Sequence, residues 1–368
     1  MGEPGKAPWA DGAVGPVLPG AAVARPLGGS GQGRMDSLRR IRYHTPLVSL
    51  VLITGGAGFI GSHLAARLLG AGHRVRILDN LDPFYDVAIK RRNLTLITAV
   101  APDRCEVQEG DLRDAAACRR AVAGCTVVVH LAALAGVRPS IQDPVRYMDV
   151  NVTGTQTLLA QIEDRNTVVV FGSSSSVYGG NRKVPFAESD PVDQPVSPYA
   201  ASKKAGEVVC YTWHHLRGNR VACLRFFTVY GPRQRPEMAI HQFARRITDG
   251  EAIPFFGDGS SRRDYTYVED IVSGIEGAMQ RSQPFGIYNL GGSATTSLTE
   301  LVGQLERALG RKAILQRLPD QPGDVPITFA DTTLAEAELG YRCSTPLAQG
   351  IDKFAAWYLA EKSAGRVP

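Results

Sequence analysis

The chain has 368 residues, 44% of them hydrophobic, which is enough for one large or two modest cores. Its net charge is +5, but the first 49 residues carry six Lys or Arg against three Asp or Glu, so the remainder is nearly balanced. This distribution argues against a basic nucleic-acid-binding face, and no apolar run reaches the length of a transmembrane helix.

Residues 1–45 are rich in Gly, Pro and Ala and lack hydrophobic periodicity, which predicts a disordered N-terminal extension. A signal peptide is the alternative, because Ala21–Ala24 resembles a cleavage site. However, Pro16 and Pro19 interrupt the apolar stretch, which is short. A start at Met35 is a third interpretation, in which the first 34 residues are not expressed.

The first predicted strand, Leu50 to Ile53, runs into a glycine-rich turn and then into an amphipathic helix pattern. In such a turn Gly55 lets the chain reverse, and Gly58 lets backbone approach a pyrophosphate. Gly61 lets the helix pack close to the strand, with its N-terminus facing the anion. The order of strand, turn and helix predicts a dinucleotide-binding loop.

The second predicted strand ends at Asp79, which lies 18 residues after Gly61. An acid near this spacing hydrogen-bonds the ribose 2′-hydroxyl of a dinucleotide. Its charge would repel the 2′-phosphate of NADP, so the predicted cofactor is NAD. The alternative is an ordinary βαβ turn followed by an Asp at a strand end.

Strand-like and helix-like patterns alternate from residue 50 to about 230, which predicts a doubly wound parallel α/β sheet of the Rossmann type. The continuous β-branched runs Val127–Val129 and Val168–Val170 indicate strands buried on both faces. The predicted strands are 50–54, 74–79, 104–109, 126–131, 167–173 and 220–226. The predicted helices are 59–71, 87–97, 114–123, 143–164 and 199–217.

A smaller C-terminal α/β lobe is predicted after about residue 235, where the alternation loosens. Its predicted elements are a helix at 237–249, a hairpin region at 253–268, and helices at 297–309 and 346–362. We therefore expect a Rossmann domain at 46–235 and a substrate-binding lobe at 236–368, with a soft boundary across which segments interleave. The substrate should lie between the carboxyl edge of the sheet and this lobe.

Six cysteines, at positions 105, 118, 125, 210, 223 and 343, form no Cys-x-x-Cys pair and no zinc-binding spacing. Cys105, Cys125, Cys210 and Cys223 lie in apolar runs and are predicted to be buried free thiols. This pattern favours a reducing, cytoplasmic compartment. We expect no metal site.

Four serines, Ser173–Ser176, follow the fifth predicted strand at the carboxyl edge of the sheet, where ligands bind. A loop that only turns would more often include Asn, Asp and Pro, so we interpret the serines as hydroxyls that face a sugar. His130, at the end of the fourth strand, is predicted to be a structural hydrogen-bond partner rather than a catalyst.

Tyr199 and Lys203 stand four residues apart, after a capping Ser197 and a first-turn Pro198. This spacing places phenol and ammonium on one helix face. We expect the charge of Lys203, with a bound nicotinamide cation, to lower the pKa of Tyr199 toward neutrality, as a general base requires. Most Tyr-x-x-x-Lys pairs are surface neighbours, but the glycine loop upstream favours the catalytic interpretation.

Several ordered motifs join these features, and they are TGGAGFIG (54–61), DNLDPFYD (79–86), GDL (110–112), HLAA (130–133), AGVR (135–138), NVTGT (151–155), SSSSVYG (173–179), RFFTVYGP (225–232) and RDY (263–265). With Tyr199 to Lys203, they resemble the extended short-chain dehydrogenases/reductases of the NAD-dependent epimerase/dehydratase family. Within that family the chain is most similar to UDP-glucuronate 4-epimerases, from about residue 50 to about residue 360.

The resemblance implies a role for each matching residue. Tyr199 would be the general base and acid, Lys203 its electrostatic partner and ribose ligand, and Ser174 the third catalytic hydroxyl. The implied cofactor-binding residues are Gly55, Gly58, Phe59 and Ile60 at the pyrophosphate, Asp79 and Asn80 at the ribose, Asp111 and Leu112 at adenine, and Leu131 and Ala133 at the nicotinamide side, together with Gly61, Ala132 and Phe226. The implied substrate-binding residues are Ser175, Ser176, Thr228 and Arg235, with Arg263 at the substrate pyrophosphate and Asp324 at the uridine ribose.

Related 4,6-dehydratases and uronate decarboxylases carry an acid close to the catalytic hydroxyl, where this chain has Ser175 and Ser176. Without a carboxyl there, no group handles the proton at sugar carbon 5. Epimerisation needs only hydride removal at carbon 4, rotation of the ketone and hydride return to the other face. The predicted reaction is therefore conversion of UDP-glucuronate to UDP-galacturonate through a transient 4-keto intermediate.

Arg235 favours a uronate over a neutral sugar, because a guanidinium at the sheet edge can grip a carboxylate bidentately. The run 235–238 resembles the glucuronate members. Arg233 and Gln234 depart from the aromatic–glycine pair typical of them, and Arg233 is interpreted as a solvated loop residue. The alternatives are a UDP-glucose or other UDP-hexose 4-epimerase and, in another class, a non-catalytic NAD-sensing protein.

The helices predicted at 143–164 and 199–217 carry more apolar positions than one sheet face needs. Family members pair these helices in a dimer interface, so the resemblance implies a homodimer.

Overall fold

A fully parallel seven-stranded sheet forms the centre of the computed structural model, which describes residues 49–292, 294–319 and 325–367. The strands of the described chain are β1 (Leu50–Thr54), β2 (Arg74–Asp79), β3 (Cys105–Glu109), β4 (Val127–His130), β5 (Val168–Ser174), β6 (Val221–Phe226), β7 (Thr228–Tyr230), β8 (Ala252–Phe256), β9 (Arg262–Tyr267), β10 (Phe285–Leu290), β11 (Thr295–Ser297) and β12 (Ile314–Leu318). The large sheet has the order β10-β6-β5-β4-β1-β2-β3. The predicted doubly wound α/β class is therefore confirmed.

Helices cover both faces of this sheet and also pack against the short strands of the C-terminal part. They are α1 (Phe59–Gly70), α2 (Val87–Val100), α3 (Ala115–Val122), α4 (Val137–Gln142), α5 (Pro144–Met148), α6 (Gly154–Ala160), α7 (Pro198–Arg217), α8 (Ala239–Asp249), α9 (Val268–Arg281), α10 (Leu298–Leu309), α11 (Thr333–Leu339) and α12 (Leu347–Ser363). Alternate strand residues face opposite ways. Val51 and Ile53 join a core with α1 and α9, whereas Leu52 joins a core with α3, α6 and α7.

The six predicted strands are confirmed to within one residue at each end, and four of the predicted N-terminal helices to within three residues. The continuous valine runs of β4 and β5 are buried, as strands covered on both faces require.

The helix predicted at 143–164 is confirmed from residue 144 to residue 160, but it is not a regular α-helix throughout. The segment is divided into α5, a π-helical turn (Asp149–Thr153) and α6. The turn aims the Asn151 amide at the loop after β4, where Oδ1 accepts from the Leu134 amide at 2.8 Å and Nδ2 donates to the Leu134 carbonyl at 2.9 Å. Nδ2 also lies 2.9 Å from Ser202 Oγ on α7. Hydrophobic periodicity cannot reveal such a turn, because these bonds join distant segments.

The hairpin predicted at 253–268 is also wrong. The two strands there do not pair with each other, since β8 pairs in parallel with β12, and β9 pairs with β7 and β11. The prediction missed α9 and β10 as well. Because β10 adds the outermost strand beside β6, the chain beyond residue 235 returns to the large sheet, as the soft boundary allowed. The division at residue 235 itself stays a prediction.

The predicted disordered extension, 1–45, lies outside the described residues. None of the six cysteines, all of which lie in the described ranges, forms a disulfide, and Cys105 is only partly buried because it lies on β3, the edge strand of the sheet. Within the described part of the chain, no helix combines the length and apolarity needed to cross a membrane.

Candidate active site

A cavity of about 610 Å³ opens at the carboxyl ends of the parallel strands. This is the edge at which open α/β sheets bind ligands. All the predicted site residues that the structure describes line it, and they are Gly55, Gly58, Phe59, Ile60, Gly61, Asp79, Asn80, Asp111, Leu112, Leu131, Ala132, Ala133, Ser174, Ser175, Ser176, Tyr199, Lys203, Phe226, Thr228, Arg235 and Arg263. Asp324, the predicted uridine-ribose ligand, lies outside the described residues. The individual roles stay predictions.

The glycine loop between β1 and α1 has no room for side chains at two positions. Gly55 has a left-handed φ of 71°, and a Cβ there would lie 2.8 Å from the Ala132 nitrogen. A Cβ on Gly61 would lie 2.4 Å from the Gly55 carbonyl oxygen. Helix α1 begins without a side-chain cap or an acid in its first turn. Its first N–H groups therefore suit a phosphate, and the loop fits the pyrophosphate of NAD.

Asp79 joins this loop to the end of β2. Its Oδ2 accepts from the Ala57 amide at 3.0 Å and its Oδ1 from the Leu81 amide at 2.9 Å. Burial raises the pKa of Asp79, and the charge of the nearby Lys90 opposes that rise. A carboxylate at this wall repels a second phosphate on the ribose, which favours NAD over NADP.

Asn80 and Asp111 are linked on the same wall, since Asn80 Nδ2 donates to Asp111 Oδ2 at 3.0 Å. Arg113 grips both oxygens of Asp111 at 2.9 Å. These hydrogen bonds hold the pKa of Asp111 well below its usual range, so the carboxylate stays ionised.

Lys90 also lines the cavity, and the sequence prediction missed it. Its Nζ donates to the Asp82 carbonyl at 2.8 Å, and the residue is 7% exposed. Burial lowers the pKa of Lys90, whereas the charges of Asp79 and Asp82 oppose that effect. A lysine in an amphipathic helix normally marks a solvated face, so the helix pattern carried no signal for this position.

Tyr199 lies in the first turn of α7, as predicted. Ser197 caps the helix, with its Oγ accepting from the Ala200 amide at 3.1 Å, and Pro198 occupies the first turn. The Tyr199 hydroxyl is hydrogen-bonded to Ser174. Ser174 Oγ also lies 2.5 Å from Ser176 Oγ. The phenol and two alcohols thus form one connected group inside the cavity.

Lys203 lies one turn along α7, buried, with its Nζ donating to the Gly172 carbonyl at 2.8 Å. Burial lowers the pKa of Lys203 to about 8. The expectation that Lys203 lowers the pKa of Tyr199 is not met in this structure. Burial raises the pKa of Tyr199, and the opposing influences are the Ser174 hydrogen bond and the charge of Arg235. The reason is that the Tyr199 phenol is desolvated, while the ammonium is directed to Gly172.

The four serines after β5 are not equivalent, which corrects the prediction of four sugar-facing hydroxyls. Ser173 is buried and donates to Glu207 Oε1 at 2.7 Å. Glu207 forms a buried bidentate pair with Arg225, at 2.8 and 2.9 Å. Ser173 therefore belongs to the support beneath the site, whereas the hydroxyls of residues 174–176 are available at the cavity.

Arg235 and Arg263 place two guanidinium groups on the cavity wall. Arg235 Nε lies 3.0 Å from Glu237 Oε1, and its side chain is 21% exposed. Arg263 Nη1 donates to the Arg262 carbonyl at 2.9 Å. The interpretation of Arg233 as a solvated residue is wrong, because its Nε donates to His63 Nε2 at 3.3 Å.

His130 is buried and bonds Thr54 Oγ1 at 2.7 Å through Nδ1 and Thr155 Oγ1 at 2.9 Å through Nε2. Thr155 donates to the Asn151 carbonyl, so it accepts from His130. Burial lowers the pKa of His130 to about 3, which keeps the ring neutral. The predicted hydrogen-bonding role is confirmed.

In the described ranges, no three His, Cys, Asp or Glu side chains cluster as metal ligands would.

Comparison with known proteins agrees with this geometry. The family model "NAD dependent epimerase/dehydratase family" matches residues 51–291. UDP-glucuronate 4-epimerase 3 of Arabidopsis thaliana is 42% identical over 338 residues, which cover 86% of this chain and 78% of that protein.

Two solved structures show the same fold. UDP-glucuronic acid 4-epimerase from Bacillus cereus, in complex with UDP-glucuronic acid and NAD, has a TM-score of 0.79 and 31% identity, covering 84% of this chain and 99% of that one. The dTDP-glucose 4,6-dehydratase DesIV from Streptomyces venezuelae, with NAD and TYD bound, has a TM-score of 0.79 and 33% identity, covering 86% and 98%. Overall fold thus does not separate the two reactions, but it agrees with the family match. The chain belongs to the NAD dependent epimerase/dehydratase family.

Proposed function

We propose that this protein is an NAD-dependent nucleotide-sugar 4-epimerase that interconverts UDP-glucuronate and UDP-galacturonate. The observation that carries the proposal is the placement of the Ser174–Tyr199 pair, buried Lys203 and Arg235 around one cavity. The first three groups suit redox chemistry at a sugar hydroxyl, and Arg235 suits an acidic sugar. The name of the 42% identical plant relative supports the same substrate.

When bound, NAD would supply the hydride acceptor for sugar carbon 4 and the hydride donor for the return step. The glycine loop would hold its pyrophosphate, Asp79 its adenosine ribose, and Lys203 its second ribose. Tyr199 would take the proton from the 4-hydroxyl and later give it back, with Ser174 holding the same oxygen. Since one residue serves both directions, the cycle needs no second acid–base group.

The cavity lining argues against dehydration. Elimination from the sugar requires a group that removes the proton at carbon 5. The positions next to Ser174 carry the hydroxyls of Ser175 and Ser176, which are neutral at physiological pH. These alcohols can instead hydrogen-bond a substrate carboxylate.

Arg235 favours a uronate over the alternative, a UDP-glucose or other UDP-hexose 4-epimerase. Arg235 lines the cavity, whereas its ion partner Glu237 is not among the described residues that line it. A neutral hydroxymethyl group would gain little from this cation, whereas a uronate would form a charge-assisted hydrogen bond.

Oxidation at carbon 4 makes the uronate a β-keto acid, which loses carbon dioxide most readily when its carboxylate stands perpendicular to the ketone. We propose that Ser175, Ser176 and Arg235 hold the carboxylate away from that orientation.

Replacing Arg235 by Ala is expected to lower kcat/KM for UDP-glucuronate by roughly 10- to 150-fold, because a charge-assisted hydrogen bond contributes about 1.5–3 kcal/mol. Decarboxylated product should rise. Chromatographic product analysis with UDP-glucuronate, without added NAD, measures both quantities. Glu237→Gln is the control, since it removes the ion partner but leaves the guanidinium in place. Unchanged turnover and unchanged decarboxylated product in Arg235→Ala would exclude the carboxylate role.

The third hypothesis, a non-catalytic NAD-sensing protein, is disfavoured because a sensor has no use for Ser174, Tyr199 and Lys203 together. The same assay separates the candidates. Galacturonate as product supports the uronate epimerase, conversion of UDP-glucose alone supports a hexose epimerase, and no turnover of any nucleotide sugar supports a sensor.

We also propose that the protein is a cytoplasmic homodimer. Large apolar side chains are exposed on neighbouring helices, with Val208 and Tyr211 each 52% exposed on α7 and Val145 77% exposed on α5. Such a surface favours burial against a second copy. The free cysteines suit a reducing compartment.

The double variant Val208→Glu/Tyr211→Glu is expected to be monomeric at micromolar concentration, because two buried charges facing each other across an isologous contact are repulsive. Light scattering measures the mass. A Val107→Glu variant, on the exposed edge strand β3, should keep the mass of the unchanged protein. A monomeric unchanged protein would contradict the dimer.

A further inference from the structure

The loop that carries Arg235, residues 231–238, is attached to the glycine-loop helix α1. Arg233 Nε donates to His63 Nε2 at 3.3 Å, and the same nitrogen lies 2.9 Å from the Pro232 carbonyl oxygen. His63 lies one turn into α1, and its Nδ1 lies 3.0 Å from Glu269 Oε1 on α9. Phe59 and Ile60, at the start of the same helix, line the cavity. One helix thus meets both the predicted pyrophosphate site and the predicted carboxylate-binding loop.

The backbone conformation of Arg233 is one that needs contacts such as the hydrogen bond to His63 to hold it in place. Its φ is 63°, in the left-handed region that residues with a side chain rarely adopt. Glycine would take this conformation without strain, so contacts of Arg233 with its surroundings must offset the strain. Arg233 contacts α1 through its guanidinium, which donates to His63.

Of residues 233–235, Arg235 is the one that lines the cavity. Gln234 is 2% exposed, and its Nε2 donates to the Val229 carbonyl at 3.1 Å. The Gln234 carbonyl accepts from His241 Nδ1 at 2.7 Å. Residues 233 and 234 are therefore both bound to the body of the protein, and the position of residue 235 follows from theirs.

The hydrogen-bonding capacity of His63 identifies Arg233 as a necessary partner. A neutral imidazole has one donor and one acceptor nitrogen. The Glu269 carboxylate, which also pairs with Arg67 at 3.5 Å, needs a donor, so Nδ1 carries the proton. In the neutral ring Nε2 is then the acceptor, and Arg233 supplies the N–H that it requires, because the other neighbour of Nε2, the Pro232 carbonyl oxygen at 2.9 Å, can only accept and bonds Nε2 only in the protonated ring. If Arg233 were removed, protonated His63 could donate to both Glu269 and the Pro232 carbonyl.

We propose that Arg233 and His63 are positioning residues that hold Arg235 in register with the sugar carboxylate. This inference rests on the proposed function, because it concerns the same uronate site. It follows that loss of the contact should damage recognition of the sugar acid while leaving recognition of the nucleotide intact. It should also let the oxidised sugar lose carbon dioxide more often per turnover.

The test compares Arg233→Gly, which keeps the backbone conformation, with Arg233→Lys, which keeps a donor. Arg67→Gln is the matched control, since it removes another cation from Glu269 without touching the loop. Calorimetry gives Kd for UDP-glucuronate and for UDP, and product analysis gives the ratio of decarboxylated sugar to UDP-galacturonate. NMR titration follows the His63 ring.

For Arg233→Gly we expect Kd for UDP-glucuronate to rise roughly ten-fold with Kd for UDP unchanged, as displacement of a positioned group produces. The decarboxylated fraction should rise, and the His63 pKa should rise because the neighbouring positive charge is gone. Arg233→Lys should recover most of each effect. If Arg233→Gly does not fold, His63→Gln tests the contact from the other side.

Three results would overturn the proposal. One is an Arg233→Gly protein with unchanged Kd and product ratio, and another is equal weakening of UDP and UDP-glucuronate, which indicates a general structural role. The third is a control Arg67→Gln that reproduces the changes. Failure of the unchanged protein to turn over UDP-glucuronate would instead refute the proposed function, a result that the first assay reveals before any variant is compared.

Discussion

Tyr199→Phe is expected to lower kcat for UDP-glucuronate epimerisation by roughly 10²- to 10⁴-fold, the usual contribution of a positioned acid–base group. The phenol is buried at the cavity and hydrogen-bonded to Ser174. Among the described residues of the cavity wall, no other phenol pairs with Ser174. Because phenylalanine keeps the ring, packing in the first turn of α7 should survive. Initial rates of UDP-galacturonate formation measure the loss.

Tyr358→Phe provides the matched control, since it removes a phenol on α12 whose hydroxyl lies 3.3 Å from Thr248 rather than at the cavity. Its rate should stay within about two-fold of the unchanged protein, as for most substitutions away from the site. Thermal unfolding of both variants checks that they are folded. A folded Tyr199→Phe protein that retains more than about a tenth of its kcat would assign the proton transfer to another group.

Gly61→Ala is expected to weaken NAD binding by at least about ten-fold and to lower the free energy of unfolding by about 1–3 kcal/mol, the range for overpacking. The added methyl would lie 2.4 Å from the Gly55 carbonyl oxygen and 2.8 Å from the Gly56 Cα. Both are backbone atoms, so the clash is relieved only if α1 or the glycine loop moves. Either movement displaces the N–H groups that face the pyrophosphate.

Gly70→Ala, at the other end of α1, is the control. It adds a methyl group to the same helix at a position where no backbone lies close to it. Nothing lies within 4 Å of a Cβ placed there. Alanine should therefore leave NAD binding unchanged and raise stability by up to about 1 kcal/mol. Isothermal calorimetry with NAD and thermal unfolding measure both variants. Equal NAD affinity in the two variants would contradict the assignment of this loop to the cofactor.

The predicted site residues that the structure brings to one cavity come from short, contiguous stretches. The strand–turn–helix around Gly55 and Gly61 carries its own geometry, because the turn needs glycine wherever backbone approaches backbone. Tyr199 and Lys203 share one helix, so their spacing alone places them on one face. The serines follow a strand whose valine run marks it as central, which puts them at the edge where ligands bind.

The errors share a different origin. The predicted hairpin at 253–268 failed because β8 pairs with β12, which lies about 60 residues further along the chain. Ser173 looked identical to its three neighbours, yet its hydroxyl is committed to Glu207 on α7. Lys90 looked like a solvated helix residue, and only the packing of α2 against α1 and β3 brings it to the cavity.

From its sequence alone, this chain could be recognised as a doubly wound NAD-binding protein with Tyr199 and Lys203 on one helix face, since the glycine loop and this pair are each encoded within a few neighbouring residues. The protonation of Tyr199 and Lys203, the pairing of Arg235 with Glu237 and the contact between Arg233 and His63 emerged only in three dimensions. They depend on burial and on charges from distant segments, and 170 residues separate Arg233 from His63. Local patterns specify which groups are present, but desolvation and long-range packing determine what those groups can do.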